Sequence, residues 1–269
     1  LATLELHRGF THSFVCLPVF ALVLAVLTRW ICRRRGMACP AWTRLALIYA
    51  TGLAIHILLD LITSFGTMIW SPISRTRAAW DITFIIDLIF TGIVLLPQVA
   101  AWVYREREQQ RERALLVWVL FSVFAAAMQR VVRAVEAPFP TAALVAVIAL
   151  LAALFFLPAW RGWGFGVRRT AWCRAGFAVW VIYMGLSATA HYAAFRQVRD
   201  FAASRGLTVE AVGALPMPPL PLFWTGLIRT PDGVYQSWFR LLEGKPRAFH
   251  FFADSVPNSY TEAVKQLPE

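Results

Sequence analysis

The chain has 269 residues, of which 59% are hydrophobic and 15% charged, with 12 Trp and 20 Phe; a soluble domain is roughly 45–50% apolar and 25% charged. One aqueous core cannot hide so much apolar surface, which excludes a disordered chain, a disulfide miniprotein and an ordinary cytosolic enzyme. The net charge of +11 comes almost wholly from arginine, and the arginines cluster at the ends of apolar runs, which points to lipid headgroups and not to nucleic acid.

A bilayer-spanning helix needs about 20 mostly apolar residues. Six such stretches follow one another, at 12–31, 45–70 (interrupted by polar residues), 82–104, 114–132, 141–160 and 175–195. They predict an all-α polytopic membrane protein with about six transmembrane helices, residues 1–195 forming the membrane domain. The links after the first, third and fifth stretches are basic. They carry Arg29, Arg33, Arg34, Arg35 and Arg44, then Arg105, Arg107, Arg111 and Arg113, then Arg161, Arg168, Arg169 and Arg174. The alternate links hold only Arg75 and Arg77, or no arginine at 136–140. The positive-inside rule assigns the basic links to the cytoplasm and the tail to the outer side. Cys16, Cys32, Cys39 and Cys173 have no metal or redox spacing and read as reduced and structural.

Residues 196–269 differ in composition and predict a small β-containing extramembrane domain. Residues 196–205 extend the sixth helix, and Gly206 is placed to cap it. The stretch 215–221 is rich in proline and reads as a stiff linker that cannot be helical. Strand-like runs follow at 223–229, 234–241 and 248–253. Pro231-Asp232-Gly233 and Gly244-Lys245-Pro246 are turn signals between them. The reading is a β-meander followed by a short helix near 260–266.

Several polar residues are out of place in this setting. His56 and Asp60 are four apart and share one helical face. A carboxylate inside an apolar helix costs about 2.5–3.5 kcal/mol on insertion scales. A metal held by imidazole and carboxylate offsets that cost; so does an Asp paired with a neighbouring Arg, or a His–Asp hydrogen bond between helices. His7 and His12 are five apart, with Gly9 allowing a bend. Thr11 reads as an N-cap that puts His12 in the first turn of the first helix. The alternative is a pair of interfacial histidines.

Depth in the membrane makes these groups compatible with one outward-facing pocket that also includes Asp87, with Asp81 at its mouth. Thr63 and Ser64 are the expected orienting donors. Arg8 suits phosphate or carboxylate recognition, or else anchors to headgroups. Arg75 and Arg77 form either a pocket rim or a solvated loop. His191 reads as an interfacial belt residue and His250 as packing or surface.

The run His7-Arg8-Gly9-Phe10-Thr11-His12-Ser13, then His56-x3-Asp60-x2-Thr63-Ser64-x-Gly66, Trp70-x-Pro72 and Trp80-Asp81-x5-Asp87, resembles the bacterial YdjM/YbcI-type family. These are inner-membrane proteins regarded as metal-dependent hydrolases, similar to zinc-dependent phospholipase C-like proteins. The resemblance implies a divalent metal, Zn or Mn, held by His7, His12, His56 and Asp60. It adds Asp87 as a candidate further ligand; by the chemistry of such a site Asp87 reads as a ligand or general base and Arg8 as stabilising developing negative charge. The expected reaction is hydrolysis of an ester or phosphoester, with a lipid-like substrate suggested by the location; the alternative is a non-enzymatic membrane protein that binds metal or lipid. Family members normally begin with a further membrane segment bearing a Thr-His motif and a Pro-Asp-x-Asp stretch. The chain from Leu1 is therefore expected to lack the N-terminal portion of the family.

Overall fold

A computed structural model describes residues 8–134, 141–162, 166–217, 222–243 and 248–254. The described residues form six α-helices, namely α1 (Leu17–Arg34), α2 (Trp42–Leu61), α3 (Leu88–Val103), α4 (Gln110–Ala134), α5 (Thr141–Arg161) and α6 (Arg169–Ser204). Four strands follow, β1 (Ala211–Met217), β2 (Phe223–Thr230), β3 (Gly233–Arg240) and β4 (His250–Ala253). They make one antiparallel sheet in the order β1-β2-β3-β4.

Four of the helical segments are long and apolar enough to cross a membrane: Trp42–Leu61, Gln110–Arg130, Leu144–Arg161 and Arg169–Ser204. Of the six stretches read from the sequence, the other two fall short for visible reasons. α1 has 18 residues and carries Arg29, Arg33 and Arg34 in its last turns. α3 has 16 residues, about 24 Å of helix against a hydrocarbon core of about 30 Å. Val19, Val26, Leu47, Ile48, Leu150 and Ile182 are among the many large apolar side chains left exposed on the helices. Such surface belongs in lipid.

The chain divides into two compact units. One takes residues up to Asp87 together with those from Met184 onward, and the other spans Leu88–Tyr183. In the second unit, Ala100, Val103, Tyr104, Ala114, Val117, Phe155 and Ala159 make the core. The Tyr104 hydroxyl donates towards the carbonyls of Leu154 and Phe155, each at 3.1 Å. Gly176 is required by Pro97, because a Cβ there would stand 2.5 Å from the Pro97 Cγ.

In the first unit α1 and α2 form a hairpin. Pro18 sits in the opening turn of α1, where its missing N–H costs nothing. Gly36, at φ +63°, turns the chain out of the helix, and Thr28 meets Tyr49 at 2.6 Å across the pair. α2 stops at Leu61, so the expected stretch 45–70 is not one helix. The loop 62–87 supplies the reason. The amides of Trp80, Ile82 and Thr83 donate to the carbonyls of Leu61 and Ile62 and replace the next helical turn. Thr67 and Ala78 exchange both backbone hydrogen bonds within the loop.

The tail of the first unit packs on the last turns of α6. Ala190, Ala194, Val198 and Ala202 recur every fourth residue and bury Ala214, Trp224, Ile228 and Phe239 of the sheet. Each large side chain buried in this way contributes about 1.5–3 kcal/mol. α6 runs on to Ser204, and Gly206 at φ +62° follows it, as the sequence predicts. The sheet has one strand more than expected. Leu215, Pro216 and Met217 belong to β1 and are not linker, with Pro216 opposite Trp224. β1 is an edge strand, where a proline without an N–H is tolerated. The turn signal at 244–246 and the helix expected at 260–266 lie outside the described residues.

Candidate metal centre

Three elements bring the polar residues together. A short 3-10 turn (Phe10–His12) carries His12, the last turns of α2 carry His56 and Asp60, and Arg8 stands just before the 3-10 turn. Thr11 lies inside that turn and does not cap α1, which begins five residues after His12 at Leu17. Ser13 explains the delay. Its hydroxyl donates to the carbonyls of Ile69 and Ser71, and the Phe14 amide donates to Ile69 at 3.0 Å. The start of the described chain is thereby stitched to the 62–87 loop before the helix can begin.

One ligand atom from each of His12, His56 and Asp60 lies within 4.8 Å of the others. Asp60 Oδ2 is 3.5 Å from His12 Nε2 and 3.8 Å from His56 Nε2. Charge-assisted hydrogen bonds are about 2.7–2.9 Å, so both gaps are too long for that. They approach the spacing of atoms sharing one tetrahedral ion, whose ligands at about 2.0–2.1 Å stand roughly 3.4 Å apart. Asp60 Oδ2 is buried and has no hydrogen-bond partner. The imidazoles lie with their centroids 5.2 Å apart, and the His56 side chain is 59% exposed, so the cluster is open on that side. Two imidazoles and one carboxylate are the donor set of a three-ligand zinc site with a free fourth position.

The surroundings hold these groups in place. Thr11 Oγ1 is 2.9 Å from His12 Nδ1. If Nδ1 donates there, Nε2 presents its lone pair to Asp60, the form a metal ligand takes. Arg8 reaches Asp60 Oδ1 at 3.3 Å with one terminal nitrogen and donates to Thr63 Oγ1 at 3.1 Å with the other. Its guanidinium also lies over the Phe65 ring at 5.3 Å. Thr63 in turn donates to the Asp60 carbonyl at 2.8 Å. Arg8 itself has φ +56°, a conformation costing about 1–3 kcal/mol that surrounding contacts must hold. The Met68 amide bonded to the Arg8 carbonyl is one of them.

Among the expected site residues, His12, His56, Asp60, Arg8 and Thr63 converge. His7 lies outside the described residues. Asp87 directly precedes α3 and does not belong to the gathered ligand set. The terminal nitrogens of Arg8 face Asp60 and Thr63. The Ser64 hydroxyl is buried without a partner and does not orient a ligand. His191 packs against Trp224 at 5.6 Å. Sequence reasoning missed the tie of Ser13 to Ile69 and Ser71 and the seat of Arg8 on Phe65. The only hint was that Ser13 closes the His7–Ser13 run.

Residues 1–134 match the model of the YdjM inner membrane protein family. The chain belongs to the YdjM family through this stretch. It contains every residue of the cluster and both α1 and α2, in keeping with the motif resemblance. With its apolar helices, the chain is a multi-pass protein of the inner membrane, and lipid is its surrounding medium. No curated protein and no solved structure matches it.

Proposed function

We propose that this YdjM-family chain is a membrane-embedded metal-dependent hydrolase of ester or phosphoester substrates, with lipid-like amphiphiles the class best suited to its place in the bilayer. The observation that carries the reading is Asp60 Oδ2, buried without a hydrogen bond and flanked by two imidazole nitrogens at distances that suit a shared cation. His12, His56 and Asp60 would hold Zn or Mn, with His7 as a further ligand. The bound cation supplies Lewis acidity towards an ester or phosphoester oxygen. Arg8 and Thr63 act as positioning residues that keep Asp60 aimed, and Thr11 orients His12. Asp87 is assigned the general base that takes the proton from attacking water. The site opens on the periplasmic side, by the distribution of arginine among the links.

The test uses the purified full chain equilibrated with Zn and then passed over a desalting column. Stoichiometric retained metal is expected, lost in His56→Ala and in His12→Ala. Metal-dependent turnover of a generic phosphoester is expected to vanish in Asp60→Asn with the helical spectrum intact. Absence of retained metal sinks the reading. A second reading is a non-enzymatic membrane protein, favoured by the Arg8–Asp60 pair, which neutralises the carboxylate without any ion. Retained metal with no turnover supports that reading over the hydrolase.

A further inference from the structure

At the opposite end of the α1–α2 hairpin from His12 lies a groove of about 450 Å³ lined by Val26, Arg29, Trp30, Arg33 and Trp42. Arg29 and Arg33 are one helical turn apart near the end of α1, so they share a face. Like charges at this spacing repel, and among the described residues no carboxylate lines the groove. The negative end of the helix dipole offsets part of the repulsion, and an anion between the two guanidinium groups removes more.

The apolar lining says what kind of anion. Trp30 and Trp42 are ring systems that favour headgroup depth. From Val26 the exposed face of α1 continues through Val23 and Val19, at helical spacing, as an unbroken apolar track. A free anion makes no use of such a track; an amphiphile with an anionic head does. Basic pockets at the ends of membrane helices are sites of this kind for phospholipid headgroups.

We propose that this groove binds an anionic phospholipid, its phosphate held by Arg29 and Arg33 and its acyl chains lying along Val26, Val23 and Val19. The phosphate end of the groove, at Arg29 and Arg33, lies about 18 Å or more along α1 from Leu17, and the His12–His56–Asp60 cluster lies at the Leu17 end. The lipid is thus a resident ligand and not the substrate of that cluster, and the proposal stands apart from the hydrolase reading.

The experiment measures lipid retained by the full chain, by native mass spectrometry from detergent, with phosphatidylglycerol, phosphatidylcholine and inorganic phosphate as probes. Phosphatidylglycerol is expected to bind at least about tenfold more tightly than phosphatidylcholine. Combined Arg29→Gln and Arg33→Gln is expected to weaken it about ten- to thirtyfold, the attraction of two arginines near a headgroup. Combined Arg35→Gln and Arg44→Gln removes equal charge outside the groove and is expected to cost under about threefold. Combined Arg29→Lys and Arg33→Lys keeps charge and helix and is expected to lose several-fold, because the planar two-pronged contact is gone. Equal losses in the two Gln pairs would reduce the site to diffuse attraction and overturn the proposal. So would equal retention of phosphatidylcholine, or inorganic phosphate binding as tightly as the lipid.

Discussion

Arg8 and Asp60 meet at 3.3 Å, the arginine just ahead of the first described turn and the aspartate at the end of α2, with side chains 9% and 13% exposed. The carboxylate is thus held through one oxygen by an arginine, while its other oxygen faces two imidazoles. A group so placed serves either as half of an ion pair or as a ligand whose back is secured, and the two roles respond differently to substitution.

Removing the arginine leaves a nearly buried charge alone. Arg8→Met is expected to lower the stability of the metal-stripped chain by about 3 kcal/mol, read as a lower thermal midpoint in detergent. Added Zn should restore much of the loss, because the cation takes over the neutralisation of Asp60. In a chain where Asp60 serves the ion pair alone, Zn leaves the midpoint of Arg8→Met where it was.

Gly66 is the next sensitive point. It has φ +73°, and a Cβ there would stand 3.1 Å from the Arg77 Cβ. Gly66→Ala is expected to cost about 1–3 kcal/mol and to loosen the 62–87 loop that ends α2. Faster hydrogen exchange of the Trp80 and Thr67 amides is the measurement, and unchanged exchange at both contradicts it.

In the tail, Gly226 faces Val198 of α6, and an added Cβ would lie 2.7 Å from its Cγ2. Gly226→Ala should push the sheet off the Ala190–Ala202 stripe at a cost of about 1–3 kcal/mol. Val198→Ala in the same chain opens the space and should recover part of it. Thermal midpoints of the single and double variants decide whether the two changes couple.

The exposed pair of Arg229 and Asp254 makes two contacts of 2.6 Å. The Arg229 guanidinium holds the Asp254 carboxyl below its usual range, chiefly by hydrogen bonding, and is itself raised by the same contact. A depressed carboxyl contributes stability that is complete above its unfolded value and is lost as pH falls through the lower folded value. NMR titration should show Asp254 protonating at lower pH than an ordinary aspartate, and Arg229→Gln should move that midpoint upward. An unmoved midpoint removes the pair as the cause.

Some of this was readable along the chain and some was not. The stretches 114–132 and 141–160 correspond to α4 and α5 within a few residues, because each is a long apolar run with little to interrupt it. Hydropathy predicts one segment over 45–70, yet α2 ends at Leu61. Hydropathy is blind to the Trp80, Ile82 and Thr83 amides that close the helix from the far side of a loop. β1 was hidden because proline argues against a strand in general, and only its edge position, a non-local fact, makes Pro216 acceptable.

The sequence alone determined the lipid environment, the arginine-rich helix ends and the shared face of His56 and Asp60, since solvation and the 3.6-residue repeat act over one or two turns. Tertiary structure alone decided that His12 and Arg8 join that face and that Asp87 stands outside the gathered ligands. Those outcomes depend on Ser13 gripping the carbonyls of Ile69 and Ser71 and on Thr67 pairing with Ala78. Contacts between segments so distant along the chain leave no periodic trace in it.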